Sequence, residues 1–277
     1  MTTLHLILGD QLSTSISSLE GCDKANDVVL MCEVWQETTY VKHHKKKIAF
    51  LLSAMRHFAE ELKQTGYQVC YRYLDDDANT GSFRGEVERT IEEYGIDHIV
   101  VTEPGEYRVL DDIKTWSAVF GLSVEIRSDS RFLCSTDDFA NWAKGRKQLR
   151  MEYFYREMRK QYAVLMDGDQ PVGGQWNYDA DNRKPPKSGL TVPPPYNNEP
   201  DDISQAVINI VSERFDDHFG DIAPFYFAVT RQQALQALEH FIADRLPTFG
   251  DYQDAMLEGE PWMYHSHLSF YLNCGLL

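Results

Sequence analysis

The chain has 277 residues, 43% hydrophobic and 25% charged, and its 27 lysines and arginines face 43 aspartates and glutamates for a net charge of −16. The length fits one large or two modest domains, and the composition is that of a globular protein, not a disordered or membrane-spanning one. The negative total argues against non-specific nucleic-acid binding outside a local basic groove. Five dispersed cysteines, Cys22, Cys32, Cys70, Cys134 and Cys274, form no CxxC pair, and no signal peptide precedes the first strand. This reads as a reduced, cytoplasmic protein with no zinc site or cluster completed by these residues.

Leu4, Leu6, Ile7 and Leu8 predict a first strand that ends in the turn Gly9-Asp10-Gln11-Leu12. The apolar run Val28 to Cys32 predicts a second strand, followed by a polar turn carrying Glu33, Glu37 and Tyr40. Ile48, Leu51, Leu52, Met55, Phe58, Ala59 and Leu62 then recur at three- and four-residue steps, which puts them on one face of a long helix stopped by Gly66. His43, His44, Lys45, Lys46 and Lys47 stand at its front end. They are either a solvated basic face or an anion-attracting, ligand-facing rim beside the positive end of the helix dipole.

Val69 to Leu74 predicts a third strand, an acidic turn at Asp75 to Asp77 follows, and a helix runs from about Ser82 to Tyr94. Ile99, Val100 and Val101 form a near-continuous apolar strand of the kind buried on both faces of a parallel sheet. It ends in the loop Thr102 to Glu106 and is followed by a helix near Asp111 to Phe120 and a strand from Leu122 to Ile126. Five strands alternating with helices predict an α/β fold with a doubly wound, five-stranded parallel, Rossmann-like sheet over residues 1–135. Ligands in such sheets sit beyond the carboxyl ends of the strands, so the turns at Gly9–Leu12, Glu33–Tyr40 and Glu103–Glu106 are expected to meet along one edge.

Residues 136–200 read as connecting helices, about Asp137 to Trp142 and Met151 to Met166, and then a Pro/Gly-rich interdomain linker from Gly168 to Pro200. Lys144, Arg146, Lys147, Arg150, Arg156 and Arg159 make a basic patch that is either a solvated helix face or a place for backbone phosphate contacts. Residues 201–277 read as the start of an all-helical domain, with helices near Asp202 to Phe215, Thr230 to Leu246 and from His265, and with Ser204 and Thr230 as N-caps. The apolar pattern from Tyr264 to Leu277 lacks an evident partner, which reads as a truncated domain.

Six ordered blocks carry a resemblance: Ile7 to Leu12, Cys32-Glu33-Val34, His43 to Phe50, Ala54 to Phe58, Met151 to Arg159 and Leu268 to Gly275. Together they resemble the cryptochrome/photolyase superfamily, within it the photolyase-related, bacterial iron–sulfur branch that includes prokaryotic (6-4) photolyases. The resemblance implies an antenna domain, a linker and the beginning of an FAD-binding helical domain. It also implies a monomeric light-dependent flavoprotein that repairs (6-4) lesions in damaged DNA or senses blue light. The implied antenna chromophore is 6,7-dimethyl-8-ribityllumazine, with Gly9, Asp10, Gln11, Cys32, Glu33, Val34, Glu37, Tyr40 and His44 at matching positions and Glu106 nearby. For FAD the matching positions are Tyr252, His265, Ser266, Leu268 and Ser269. The remaining flavin-surrounding helices and the four cysteines of a 4Fe-4S cluster have no counterpart in these residues, so photorepair by this chain alone is in doubt. Two other readings stay open: a stand-alone Rossmann-like module holding a lumazine, flavin or nucleotide without catalysis, and an adenine-nucleotide enzyme, for which no P-loop signature is present.

Overall fold

The computed structural model describes residues 2–180, 182, 184–186 and 189–277. Five strands, β1 (Thr3–Leu6), β2 (Val28–Cys32), β3 (Val69–Arg72), β4 (His98–Thr102) and β5 (Ser123–Arg127), form one sheet in the order β3-β2-β1-β4-β5. Every pairing in it is parallel. The helices between the strands are α1 (Trp35–Thr39), α2 (Lys45–Gln64), α3 (Phe83–Tyr94), α4 (Tyr107–Ile113) and α5 (Trp116–Phe120). All five residues of β2 are buried, which requires cover on both faces of the sheet and explains why its sequence shows no alternation. Leu4, Leu6, Leu30, Ile99 and Val101 pack with Val87, Val109, Ile113 and Trp116 in one cluster.

After the sheet come α6 (Thr136–Ala143), α7 (Met151–Gln161), the two-residue antiparallel arms β6 (Met166–Asp167) and β7 (Gln170–Pro171), then α8 (Asp202–Arg214), α9 (Arg231–Asp244), α10 (Leu246–Tyr252) and α11 (Ser269–Cys274). The chain divides into two compact units. The first is Met1–Arg131, Tyr196–His240 and His267–Leu277, and the second is Phe132–Pro195 and Phe241–Ser266.

Several boundaries differ from the sequence expectation, each for a local reason. The polar turn after β2 contains the short helix α1, and the expected helix near 111–120 is two, α4 and α5. The helix from Met151 stops at Gln161 because Ala163 and Leu165 take left-handed φ values of 53° each. The segment expected to lack regular structure holds the β7 arm of a small hairpin. The helix expected over 230–246 ends at Asp244, and a further short helix, α10, follows it with Pro247 in its first turn.

The α8 cap is Asp201, whose side chain accepts from the Ser204 amide at 2.9 Å, while Ser204 itself is buried inside the first turn. Thr230 does cap α9: its hydroxyl accepts from the Gln233 amide at 3.2 Å, and the Gln233 side chain accepts from the Thr230 amide at 3.2 Å, a capping box. The last helix starts at Ser269, and its apolar face is covered within the first unit. Phe270 packs against Phe50 and Phe227 with ring centroids 5.6 and 5.1 Å apart, and the Tyr271 hydroxyl accepts from the Ala228 amide at 2.9 Å. Gly275 closes it with φ 91°, where an added Cβ would stand 3.0 Å from the Leu12 amide nitrogen.

Candidate functional site

Within the first unit, the carboxyl ends of β1, β2 and β4 open onto one cavity of about 380 Å³, inside the range of about 300–1,000 Å³ typical of small-molecule sites. Leu8, Gly9 and Asp10 line it after β1, Cys32, Glu33, Val34, Glu37 and Tyr40 from β2 onward, and Pro104 and Glu106 after β4. The strand order turns between β1 and β4, and a crevice at that point is the usual ligand site of an open parallel sheet. Ile48, Leu51, Leu52 and Met55 of α2 give it an apolar wall, and Phe270, Asn273 and Cys274 of α11 complete the lining. Gly9 permits this closeness: a Cβ there would sit 3.1 Å from Met55 Sδ and 3.3 Å from Leu51 Cδ2.

The carboxylates around the cavity have different partners. Glu33, fully buried, accepts from Arg56 Nε at 2.6 Å, Arg56 Nη2 at 2.9 Å, the Tyr71 hydroxyl at 2.7 Å and the Leu74 amide at 2.8 Å. Its oxygens are satisfied by the protein, so Glu33 braces the end of β2. Glu37 accepts from both terminal nitrogens of Arg108, at 3.0 and 2.7 Å, and Glu106 accepts from Arg108 Nη2 at 3.0 Å. The same guanidinium lies 4.5 Å from the centroid of the Tyr40 ring. Burial raises the Asp10 carboxyl above its ordinary range against the opposing pull of Arg131. Burial, Lys47 and His218 push His43 down, and the Lys47 ammonium donates to His43 Nδ1 at 3.2 Å, as a neutral imidazole allows. Burial likewise holds the Cys274 thiol up at about 11 and Cys32 well above its ordinary value, so both present uncharged sulfur. The result is an apolar slot with a polar rim, suited to a flat ring system whose edge carries hydrogen-bonding groups.

Not every residue singled out from the sequence reaches this slot. Gln11 bridges strand ends, its Oε1 accepting from the Leu8 amide at 3.1 Å and its Nε2 donating to the Thr102 carbonyl at 3.0 Å. His44 caps α2, Nδ1 accepting from the Lys46 amide at 3.0 Å. Of the basic run, His43 and Lys47 line the slot, whereas Lys45 donates to the Asp216 carbonyl at 3.2 Å, and Lys42, just before the run, pairs with Asp217 at 2.7 Å. Tyr252, His265 and Ser266 belong to the second unit and Leu268 and Ser269 to the first. Tyr252 stacks on Tyr264, Leu268 is buried, and His265 and Ser269 are exposed.

In the basic patch, Arg146 pairs with Glu157 and Arg156 with Glu152. Arg159 is buried on the Val164 and Leu165 carbonyls, and Lys144, Lys147 and Arg150 are exposed. His5, Cys22 and Asp27 bring their donor atoms within 4.8 Å of one another. However, both His5 ring nitrogens already face oxygens, Ser18 O at 2.5 Å and Asp27 Oδ2 at 3.2 Å, and Asp27 also accepts from the Thr3 and Asp23 amides. No helix among the described residues is long and apolar enough to cross a membrane.

The family model for deoxyribodipyrimidine photo-lyase-related proteins matches residues 5–227. The chain belongs to that family. A (6-4) photolyase of Agrobacterium fabrum is 55% identical over 277 residues, which is 100% of this chain and 55% of that protein. An uncharacterized protein of Acanthamoeba polyphaga mimivirus is 25% identical over 149 residues, 52% of this chain and 74% of that protein. The crystal structure of a bacterial class III photolyase from Agrobacterium tumefaciens shares the fold, with a TM-score of 0.55 at 14% identity over 100% of this chain and 50% of that one. The chain thus spans about half the length of the photolyases it matches.

Proposed function

We propose that the chain is the antenna half of a photolyase-related, light-dependent flavoprotein that acts on (6-4) lesions in DNA or senses blue light, and that its slot holds 6,7-dimethyl-8-ribityllumazine. One observation carries the reading: three loops distant in sequence close an apolar slot with a polar rim at the switch point of the sheet, in a chain 55% identical to a (6-4) photolyase. A lumazine ring suits the wall of Ile48, Leu51, Leu52 and Met55, with Tyr40 available for stacking. Glu37 keeps carboxylate lone pairs beyond those used by Arg108 and can accept from a ring N–H or a ribityl hydroxyl. The Gln11 and Glu33 amides, already donating to Leu8 O and Arg72 O, are not available to the ligand, which leaves Gly9, Asp10 and Val34 as the backbone candidates.

When bound, the chromophore would absorb light for a flavin partner. FAD at Tyr252, His265, Ser266, Leu268 and Ser269, the 4Fe-4S cluster and damaged DNA belong, on this reading, to a longer, monomeric, cytoplasmic protein. The same slot also supports a second reading, a stand-alone binding module for a lumazine, flavin or nucleotide without catalysis, because all of its lining residues lie in the first unit. Titrating the purified chain with 6,7-dimethyl-8-ribityllumazine and reading absorbance of the protein-bound fraction tests the assignment. Wild type should load, Glu37→Ala and Tyr40→Ala should load less, and far-UV circular dichroism should match in all three. Equal loading of both variants and wild type overturns the site assignment, and preferential uptake of flavin or nucleotide selects the second reading.

A further inference from the structure

Arg108 is absent from the slot lining, yet it touches three residues that form the rim. From the first turn of α4 it grips Glu37 of α1 through two parallel hydrogen bonds, shares Nη2 with Glu106 and lies against the Tyr40 ring. The α1 segment that it grips is short, with Thr38 as its one buried residue. The helix is five residues long, its cap at Val34 makes no side-chain hydrogen bond, and its anchors are the Gln36 amide on the Gly81 carbonyl at 2.9 Å and the Trp35 ring on Phe215 at 5.3 Å. Those anchors lie at its first two residues; at the Glu37–Tyr40 end the Tyr40 side chain meets Glu106 and the His43 ring, at 5.1 Å, and Arg108 is the charged tie that joins Glu37, Glu106 and Tyr40 next to the slot. Without the guanidinium, Glu37 and Glu106 would stand at the rim as two carboxylates with their shared cation gone.

We infer that Arg108 is a clasp: a positioning residue that holds the α1 wall against the loop after β4 and thereby sets how long a ligand stays in the slot. For the ligand, this rests on the antenna reading above. Leaving requires the outer wall to open, so loss of the clasp shortens residence more than it changes arrival. Lysine cannot replace the forked contact, because one ammonium cannot make two parallel bonds to Glu37 and still reach Glu106.

Two measurements on the whole chain test the clasp. Hydrogen exchange of the ligand-free protein should show about tenfold faster exchange over residues 35–44 in Arg108→Gln, with the α3 amides unchanged as the control for intact folding. Dilution of lumazine-loaded protein should show a dissociation rate raised by about tenfold in Arg108→Gln and less in Arg108→Lys, with association changed by under about threefold. Unchanged exchange over 35–44 with α3 protected as in wild type overturns the clasp, as does a dissociation rate equal to that of wild type. If wild type takes up no lumazine, the antenna reading fails and the exchange result alone decides about Arg108.

Discussion

The two units of the chain are held together in different ways. In the first, Leu4, Leu6, Ile7, Val29, Leu30 and Met31 are all 0% exposed, and the backbone is satisfied by a five-strand ladder. In the second, Tyr252, Met263 and Tyr264 are the large apolar side chains that are buried among the described residues, and the irregular backbone is tied by side-chain donors instead. Arg245 donates to the carbonyls of Met263, His265 and Pro193 at 2.9, 3.1 and 2.6 Å. Arg159 donates to those of Val164 and Leu165, and the Tyr264 hydroxyl to Thr191 O at 2.6 Å. Arg156, Arg159 and Lys160 surround the Trp176 ring at 5.3–5.5 Å. Where a chain cannot pair its carbonyls in a ladder, a buried guanidinium with five donors can satisfy several at once.

The sharpest way to break this contrast is Leu30→Ala, which should cost about 2–5 kcal/mol through the lost burial and the cavity left behind. Exchange protection should fall across the sheet of the first unit. Arg245→Ala should cost somewhat less, about 2–3 kcal/mol, by leaving three carbonyls without their donor. Its signature is local: limited proteolysis should open the stretches around Pro193 and Met263, while the β2 amides stay protected. If β2 protection falls as far in Arg245→Ala as in Leu30→Ala, the two units do not differ in the way described. Trp176→Ala should cost about 1–2 kcal/mol, since its three cations are partly solvated, and raised salt should shrink the difference.

The smallest effect is a pH dependence in the first unit. His43 has its proton affinity lowered by burial, Lys47 and His218, so the unfolded chain binds a proton that the folded chain resists. Stability is unaffected by this group well above the unfolded value of about 6.5 and falls as pH drops below it. Urea titrations between neutral pH and mild acid should show that slope in wild type and a weaker one in His43→Gln. Equal slopes would remove His43 as the cause.

The same contrast decides what the sequence reveals. The sheet of the first unit was legible because apolar runs such as Val28 to Cys32 and the three- and four-residue spacing of α2 report burial directly. The meeting of the strand-end turns along one cavity was legible because the position of such a crevice in an open parallel sheet follows from strand order. α1 was hidden by its length, five residues with two threonines, and α10 by its seven residues, which include Pro247 and Gly250. Arg108 and Arg245 left no signal and Arg159 stood out only as one of a basic patch, since Arg108 meets Glu37 across 71 residues and the other two bind carbonyls, which every residue type carries. Phe270, Asn273 and Cys274 were assigned to a helical domain on chain position, and only the packing of α11 on Phe50 brings them to the slot. The Leu12 amide donating to the Cys274 carbonyl at 2.8 Å fixes that arrangement.

The slot is walled at once by Leu8 to Asp10 and by Phe270, Asn273 and Cys274, so it is incomplete until α11 has been made and packed in place. A nascent polypeptide stalled before α11 emerges would carry a finished sheet with an open groove, its apolar α2 wall facing water and available to chaperones. A ligand held in the slot would therefore require both walls, the turn after β1 and α11, to be in place.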